Sequence, residues 1–373
     1  MPKIAIDAMG GDHAPGVVVE GAILAARELS IELVLVGQKD AVEQELAKHP
    51  DPPKFHIVTA SQVVPMHESP SVALRKKDSS MRVGFEMMKR GEVDAVVSAG
   101  NSGAMMALGM FVLGTLSQVA RPAILVVVPS LDKGTVIIDA GANVDCKPIH
   151  LVQFALMGSI YAERVLGVTR PRVGVLSNGE EESKGNELTR AASEQLASVP
   201  VNHIGYVEGR DIFNGKVDVV VCDGFTGNIA LKTMEGVASF AGDVLKDAFQ
   251  KNLSSKLGYL ISRNALKQAH RRLDYAEYGG APLIGLDGVA IIAHGGSNPL
   301  AIKNAIRQAC GAVDQKMNHH IADALAELDH GAGEKKAGLP QKLWNRFKSK
   351  IESMGEKTEP ASGAEDRRRG GES

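Results

Sequence analysis

Aromatic residues are scarce in this 373-residue chain, with one Trp, five Tyr and nine Phe. So few of them argue against an all-β sandwich or barrel, whose strands favour such side chains. Cysteine is nearly missing too. Cys146, Cys222 and Cys310 have no metal-ligand spacing and make no disulfide framework, which predicts a reducing compartment such as the cytoplasm and no metal site. A net charge of -2 gives no overall pull toward nucleic acid. No apolar run approaches the roughly 20 residues of a membrane-spanning helix. No charged segment with a long apolar stretch precedes Ile4, so no secretory leader is expected. Neither GxGxxG nor GxxxxGK[ST] occurs, which removes the usual nucleotide fingerprints.

What is abundant is glycine. Forty glycines in a chain that is 44% hydrophobic and 23% charged fit an α/β protein with many tight strand-to-helix turns. The stretch at the centre of this pattern is VDVVVCDGFTGNIALKT, Val217 to Thr233. Its apolar run reads as a strand buried on both faces of a parallel sheet, and it ends at Asp223 in the turn GFTGN. Helical spacing follows through Ile229, Leu231, Val237 and Phe240. Free backbone N–H groups at such a helix start, with the helix dipole behind them, suit a phosphate or an oxyanion. Thr226, Gly227 and Asn228 stand at that point.

The same arrangement recurs along the chain. Lys3 to Ile6 reads as a strand running into DAMGGDHAP, which packs Asp7, Gly10, Gly11, Asp12 and His13 into one loop. Strands at 31–37 and 55–59 follow, with Arg75, Lys76 and Lys77 in the polar stretch after them. Val93 to Val97 ends in SAGNSGA, where Asn101, Ser102 and Gly103 open an apolar helix. Arg121 to Val128 and Thr135 to Ile138 read as paired strands, the second ending in DAGANVDC with Asn143. Arg172 to Leu176 leads into SNGEEESKGNELTR, where Glu180, Glu181 and Glu182 are expected near a helix start. Two readings fit Lys184 in that loop. It pairs with its acidic neighbours, or it supplies a fixed positive charge to a bound anion. The stretch from Tyr278 to Gly288 reads as a glycine-rich connection, and Val289 to Ala293 as a strand ending in HGGSN before a helix from Pro299 to Met317.

Five Gly- and Asn-bearing loops, at Gly10, Asn101, Asn143, Asn228 and Gly296, each follow a strand. Ligands of open parallel sheets bind outside the carboxyl ends of strands, so these loops are expected to meet in one crevice. A site built of amides, carboxamides and a lysine suits phosphate chemistry. Two segments stand apart from this pattern. A helix hairpin at about 225–272 carries Leu257, Leu260 and Ile261 beside Arg263, Lys267, Arg271 and Arg272, which reads as a dimer surface, a membrane-surface element or a dock for an acidic protein. From Gly331 the composition turns polar and glycine-rich, and most of 331–373 is expected to be disordered. Inside it, 340–354 patterns as an amphipathic helix carrying Trp344 and Phe347, for a membrane surface or for docking on the protein itself.

Taken together, DAMGGDHAP, SAGNSGA, the RPAI start at Arg121, DAGANVDC, LSNGEEESKGNELTR, DGFTGN and AHGGSN resemble the phosphate acyltransferase family of bacterial phospholipid synthesis. The resemblance runs in order from about Lys3 to Met317. It implies transfer of a fatty acyl group from acyl carrier protein to inorganic phosphate, feeding a glycerol-3-phosphate acyltransferase. It implies a Rossmann-like three-layer α/β/α fold of the isocitrate and isopropylmalate dehydrogenase type over residues 1–330. It further implies a homodimer, peripheral membrane attachment and no cofactor. Its catalytic lysine and asparagine fall on Lys184 and Asn228. The amides around Gly11, Asn101 and Asn143 are then expected to cradle the phosphate, the basic hairpin residues to receive the acidic carrier, and the hairpin leucines to touch the membrane. Two other classes remain open on sequence: a metal-dependent dehydrogenase on the related fold, using Asp7, Asp12, Asp139 and Asp223, and a non-catalytic phosphate-binding membrane scaffold.

Overall fold

A computed structural model describes residues 1–132, 134–273 and 279–334. Eleven strands form one sheet: β1 (Lys3–Asp7), β2 (Glu32–Gly37), β3 (His56–Thr59), β4 (Ala95–Ser98), β5 (Ala123–Val128), β6 (Thr135–Ile138), β7 (Arg172–Leu176), β8 (Asn202–Val207), β9 (Val219–Val221), β10 (Ala281–Ile284) and β11 (Val289–Ile292). Their order across the sheet is β3-β2-β1-β4-β11-β10-β5-β6-β9-β7-β8. The helices are α1 (Gly16–Glu28), α2 (Lys39–Leu46), α3 (Pro70–Ala73), α4 (Ser80–Lys89), α5 (Ser102–Val112), α6 (Pro148–Arg164), α7 (Glu187–Leu196), α8 (Gly224–Gln250), α9 (Leu253–Leu273), α10 (Pro299–Asp314) and α11 (Met317–Glu334).

Alternation along the strands puts helices on both faces. Ile4 and Ile6 of β1 pack into one cluster with Val19, Ile23, Ile302 and Ile306, whereas Ala5 between them faces Phe85, Met105 and Leu108. In the other half, Val219 and Val221 of β9 share a core with Phe154, Leu196 and Ile321, and Val220 packs with Leu231 and Met234 on the opposite side. Three layers, helix on sheet on helix, follow from this pattern.

The sheet is mixed, not parallel throughout as the buried apolar runs suggest. β1, β2, β3, β4 and β11 run together, β10 runs against both β11 and β5, and β6 runs against β5. β9, β7 and β8 then follow the direction of β6. Two parallel blocks therefore run in opposite senses. β10 itself lies inside the segment expected to be a glycine-rich connection. Its Ala281-Pro282-Leu283-Ile284 is short and holds a proline, a weak strand signal, and the pairing with β5 and β11 overrides it. β8 was likewise not expected from the sequence, where its apolar residues alternate with His203 and Gly205.

The hairpin forms as expected, with α8 packed on α9 and the rings of Phe249 and Tyr259 5.6 Å apart near the tip. No helix among the described residues is long and apolar enough to cross a membrane. α11 continues to Glu334, past the boundary at 330 drawn from composition.

Candidate active site

The first contact group lies where β6 and β9 end. Asp139 follows β6 and is fully buried, with five donors on its carboxylate. Ile124, Gly141 and Ala142 give their amides to Oδ1 at 3.0, 3.1 and 2.9 Å, and Asn143 gives its amide and its carboxamide to Oδ2 at 2.7 and 2.9 Å. Burial raises the Asp139 pKa against the pull of these donors. The carboxamide of Asn143 reaches Pro122 O as well, at 2.8 Å. The donors expected to cradle phosphate at Asn143 are thus spent inside the loop. In this place the sequence motif builds a support rather than an anion nest.

That support carries the start of α8. Gly224 N–H donates to Asn143 O at 2.7 Å, and Gly227 packs so closely on Asp139 O that any side chain would collide with it. Asp223 caps the helix, taking the Thr226 amide at 2.8 Å and the Thr226 hydroxyl at 2.9 Å, and Gly227 N–H donates to Asp223 O. A helix start read as open is therefore closed at Gly224, Thr226 and Gly227, because Asp223 competes as a built-in anion. The exception on this turn is Asn228. It is exposed, and its carboxamide, which makes no hydrogen bond among the described residues, lies about one van der Waals contact from Gly141.

One strand over, β7 pairs with β9 and delivers the loop of Lys184 to the same edge. α7 begins at Glu187 with Asn186 as its cap, so Glu180, Glu181 and Glu182 stand in the loop before it rather than in its first turn. The glutamates do not hold Lys184. Glu180 is taken by Lys216 at 2.7 Å and by Arg210 at 3.9 Å. The half-buried Lys184 side chain packs on Gly179, its backbone N–H donates to Glu181 O at 2.9 Å, and its ammonium has no carboxylate partner among the described residues. The surface-partner reading of Lys184 thus loses its partner. Both thiols of the region are kept protonated by burial, Cys146 with its pKa pushed up to about 12 and Cys222 well above the usual thiol value, so neither offers a nucleophile.

The second contact group gathers the loops after β1, β4 and β11. Asp7 is buried, accepts Ser98 Oγ at 2.6 Å and the Met9 amide at 3.1 Å, and has its pKa raised by burial. Gly10 lies against Asp7 and Gly100, Gly11 (φ +109°) against Ala99 and Gly295 O, and Asp12 N–H donates to Gly295 O at 2.9 Å. Asp12 and His13 are exposed. Asn101 caps α5 by accepting the Ala104 amide at 2.9 Å and ties down Met66 O and Glu68 O at 2.6 and 3.0 Å, so its side chain is occupied. The amides of Ser102 and Gly103 at the exposed tip of α5 have no acceptor among the described residues. Hydrogen bonds thus sort the five loops into two groups. Between them Ala104 and Met105 share one apolar cluster with Ala140, Ala142 and Leu231.

Sequence reasoning named most of these residues but gave no role to Ser98, the first residue of SAGNSGA, or to Gly295 and Ser297 within AHGGSN. Of the basic hairpin residues, Arg263 and Lys267 are exposed on α9. Arg271 and Arg272 fall in the same helix, but their side chains lie outside the described residues, as do Trp344 and Phe347 altogether. Leu257, Leu260 and Ile261 are exposed at 60%, 65% and 79%. Lys76 of the basic triplet is committed to Glu68 at 2.7 Å.

The three-layer fold on a mixed sheet is one that solved structures share. A phosphotransacetylase from Streptococcus pyogenes superposes with a TM-score of 0.58 at 16% identity, covering 84% of this chain and 94% of that one. A branched-chain phosphotransacylase from Enterococcus faecalis V583 gives 0.51 at 12% identity, covering 84% and 99%. At those identities the likeness speaks for the fold. Residues 2–320 match the family model described as fatty acid synthesis protein, and the chain belongs to that family. Its relatives include the phosphate acyltransferases of Geobacter sulfurreducens, 56% identical over 87% of this chain and 94% of that protein, and of Citrifermentans bemidjiense, 54% identical over 91% and 97%.

Proposed function

We propose that this chain transfers a fatty acyl group from acyl carrier protein to inorganic phosphate, giving acyl phosphate and free carrier protein for phospholipid synthesis. The observation that carries this reading is the half-buried side chain of Lys184, left without a carboxylate partner among the described residues in a loop of three glutamates. A phosphate oxygen attacks the thioester carbon, and the carbonyl electrons move onto its oxygen. The tetrahedral oxyanion then collapses, the C–S bond breaks, and the thiolate leaves and takes a proton from water. Phosphate is already a nucleophile and a thioester already an activated donor, so the protein has mainly to align them and stabilise negative charge. Lys184 neutralises the phosphate or the oxyanion, and the free carboxamide of Asn228 donates to the same centre. The open amides of Ser102 and Gly103 and the loop of Asp7 to His13 complete the substrate-binding set. Asn143, Thr226 and Gly227 act by shaping the edge that presents Asn228.

The finer architecture belongs to the same reading. Residues 1–330 form one acyltransferase unit, Rossmann-like and of the isocitrate and isopropylmalate dehydrogenase type, with the hairpin projecting from it. The acidic carrier meets Arg263, Lys267, Arg271 and Arg272 through charge complementarity. The apolar residues exposed along the hairpin, among them Val237, Phe240, Leu253 and Leu260, exceed what a surface in water leaves scattered, which supports a homodimer contact and peripheral attachment to a membrane in the cytoplasm. A glycerol-3-phosphate acyltransferase is the natural consumer of the product.

The test uses purified full-length chain, acyl carrier protein loaded with a fatty acid, and phosphate. Acyl phosphate, trapped with hydroxylamine, should appear only when phosphate is present. Thioester cleavage without phosphate dependence would sink the proposal.

A further inference from the structure

The first turns of α8 are apolar on both faces. Inward, Gly224 and Gly227 are buried against the Asp139 loop, and Leu231 and Met234 pack on the core at the same helical spacing. Outward, Phe225 and Ile229 are exposed at 58% and 50%. They are four residues apart and so lie side by side, with Asn228 in the same row. Val144 joins them at 63% exposed. It follows Asn143, whose carbonyl takes the Gly224 amide at 2.7 Å, and Phe225 follows Gly224. None of the three packs into an apolar core cluster among the described residues. Apolar residues scattered singly over a surface need no explanation, but three gathered at the turn that presents a carboxamide do.

The substrate of the proposed reaction has one long apolar part. When phosphate attacks, the carbonyl carbon becomes tetrahedral, with the oxyanion, the thioester sulfur and the phosphate oxygen as three of its substituents. The fourth is the fatty chain, which therefore starts within a bond or two of the centre that Asn228 and Lys184 serve. From there Phe225 and Ile229 offer an apolar path of roughly 10 Å, one helical turn plus the reach of the ring, and an extended chain covers it with about eight carbons. A broader occupant fits the same residues less well. A second copy of this chain or a membrane surface seated on Phe225 and Ile229 would also cover Asn228, which stands in their row, and would shut the reacting centre.

We infer that Phe225, Ile229 and Val144 seat the first carbons of the donor's acyl chain and make the protein select long chains over short ones. This rests on the acyl-transfer reading above and adds to it where the chain lies.

Two donors test it, butyryl- and decanoyl-loaded acyl carrier protein, each with inorganic phosphate. A methylene taken fully out of water is worth about fourfold, and one laid against an open face about twofold. Over six added carbons the wild-type chain should favour decanoyl by about 50-fold in kcat/KM. Phe225→Ala and Ile229→Ala should each lower that ratio about fivefold or more, with melting temperatures within about 2 °C of wild type because both residues are exposed. Phe111→Ala, which removes an equally exposed ring from α5, should keep the ratio. Equal use of the two donors by the wild type overturns the inference. So does a wild-type ratio in both α8 variants, whether or not they sediment as smaller species, and so does an equal loss of the ratio in Phe111→Ala. If the wild type forms acyl phosphate from neither donor, the acyl-transfer reading itself falls and this one with it.

Discussion

Asp139 Oδ2 receives both the backbone amide and the side-chain carboxamide of Asn143, at 2.7 and 2.9 Å, and the carbonyl of Asn143 in turn takes the Gly224 amide that opens α8. One buried carboxylate thereby sets the loop on which the Asn228 helix rests. Asp139→Ala would leave several buried N–H groups unmatched and should cost about 3 kcal/mol or more. Urea unfolding of the variant measures the loss, and an unchanged midpoint would show that the loop holds itself.

Lys184→Ala should lower acyl phosphate formation about 100-fold or more, the usual loss when a fixed charge is taken from a developing anion. Because Lys184 makes no ion pair among the described residues, the thermal midpoint should stay within about 2 °C. A stability loss matching the activity loss would return the residue to a structural role.

Asn228→Ala should reduce kcat about 10²- to 10³-fold with a smaller change in KM for phosphate, as expected of a donor that acts in the transition state. An unaltered kcat would remove Asn228 from the reaction.

His150 is buried at the start of α6, and burial, with Arg121 and Lys147 nearby, holds its pKa down at about 4. The folded state keeps this imidazole neutral, whereas the unfolded chain binds a proton below about pH 6.5. Stability should therefore fall as pH drops from about 6.5 to 4, by as much as about 3 kcal/mol. Asp7 and Asp139, raised by burial, act in the opposite sense, since they lose stability as pH rises above the ordinary carboxylate value. Comparing wild type with His150→Gln isolates the histidine: denaturation curves against pH should be flatter for the variant between pH 4 and 6.5.

Charge reversal of Arg263 and Lys267 together should weaken carrier-protein binding at low salt and leave turnover of an acyl thioester that lacks the carrier protein untouched. Isothermal titration at two salt concentrations reads the first effect. Unchanged affinity at low salt would place the carrier elsewhere.

Strand ends were legible in the sequence because glycine, asparagine and aspartate there answer to local geometry. That legibility covered Asp7, Asn101, Asp139, Asp223 and the start of α8 at Gly224. What stayed hidden is whom each donor serves. Asn101, Asn143 and Thr226 have the right chemistry for an anion, yet their partners, Glu68 O, Asp139 and Asp223, are fixed by packing that no local pattern encodes. The reversal of the sheet was equally invisible, because it depends on β10 finding β5 across about 160 residues of chain. Ser297 lies inside AHGGSN, yet nothing in that motif separates it from its neighbours, and only its burial marks it.

α8 begins on the Asp139 loop and runs without interruption to Gln250, about 40 Å at helical rise. Its first turn and its far tip are therefore parts of one lever, with Gly236 and Gly242 as the points where backbone entropy favours a bend. On the proposed function, a partner that grips the far end, near Phe249 and Tyr259, would hold one end of the same rod that carries Asn228 at the other.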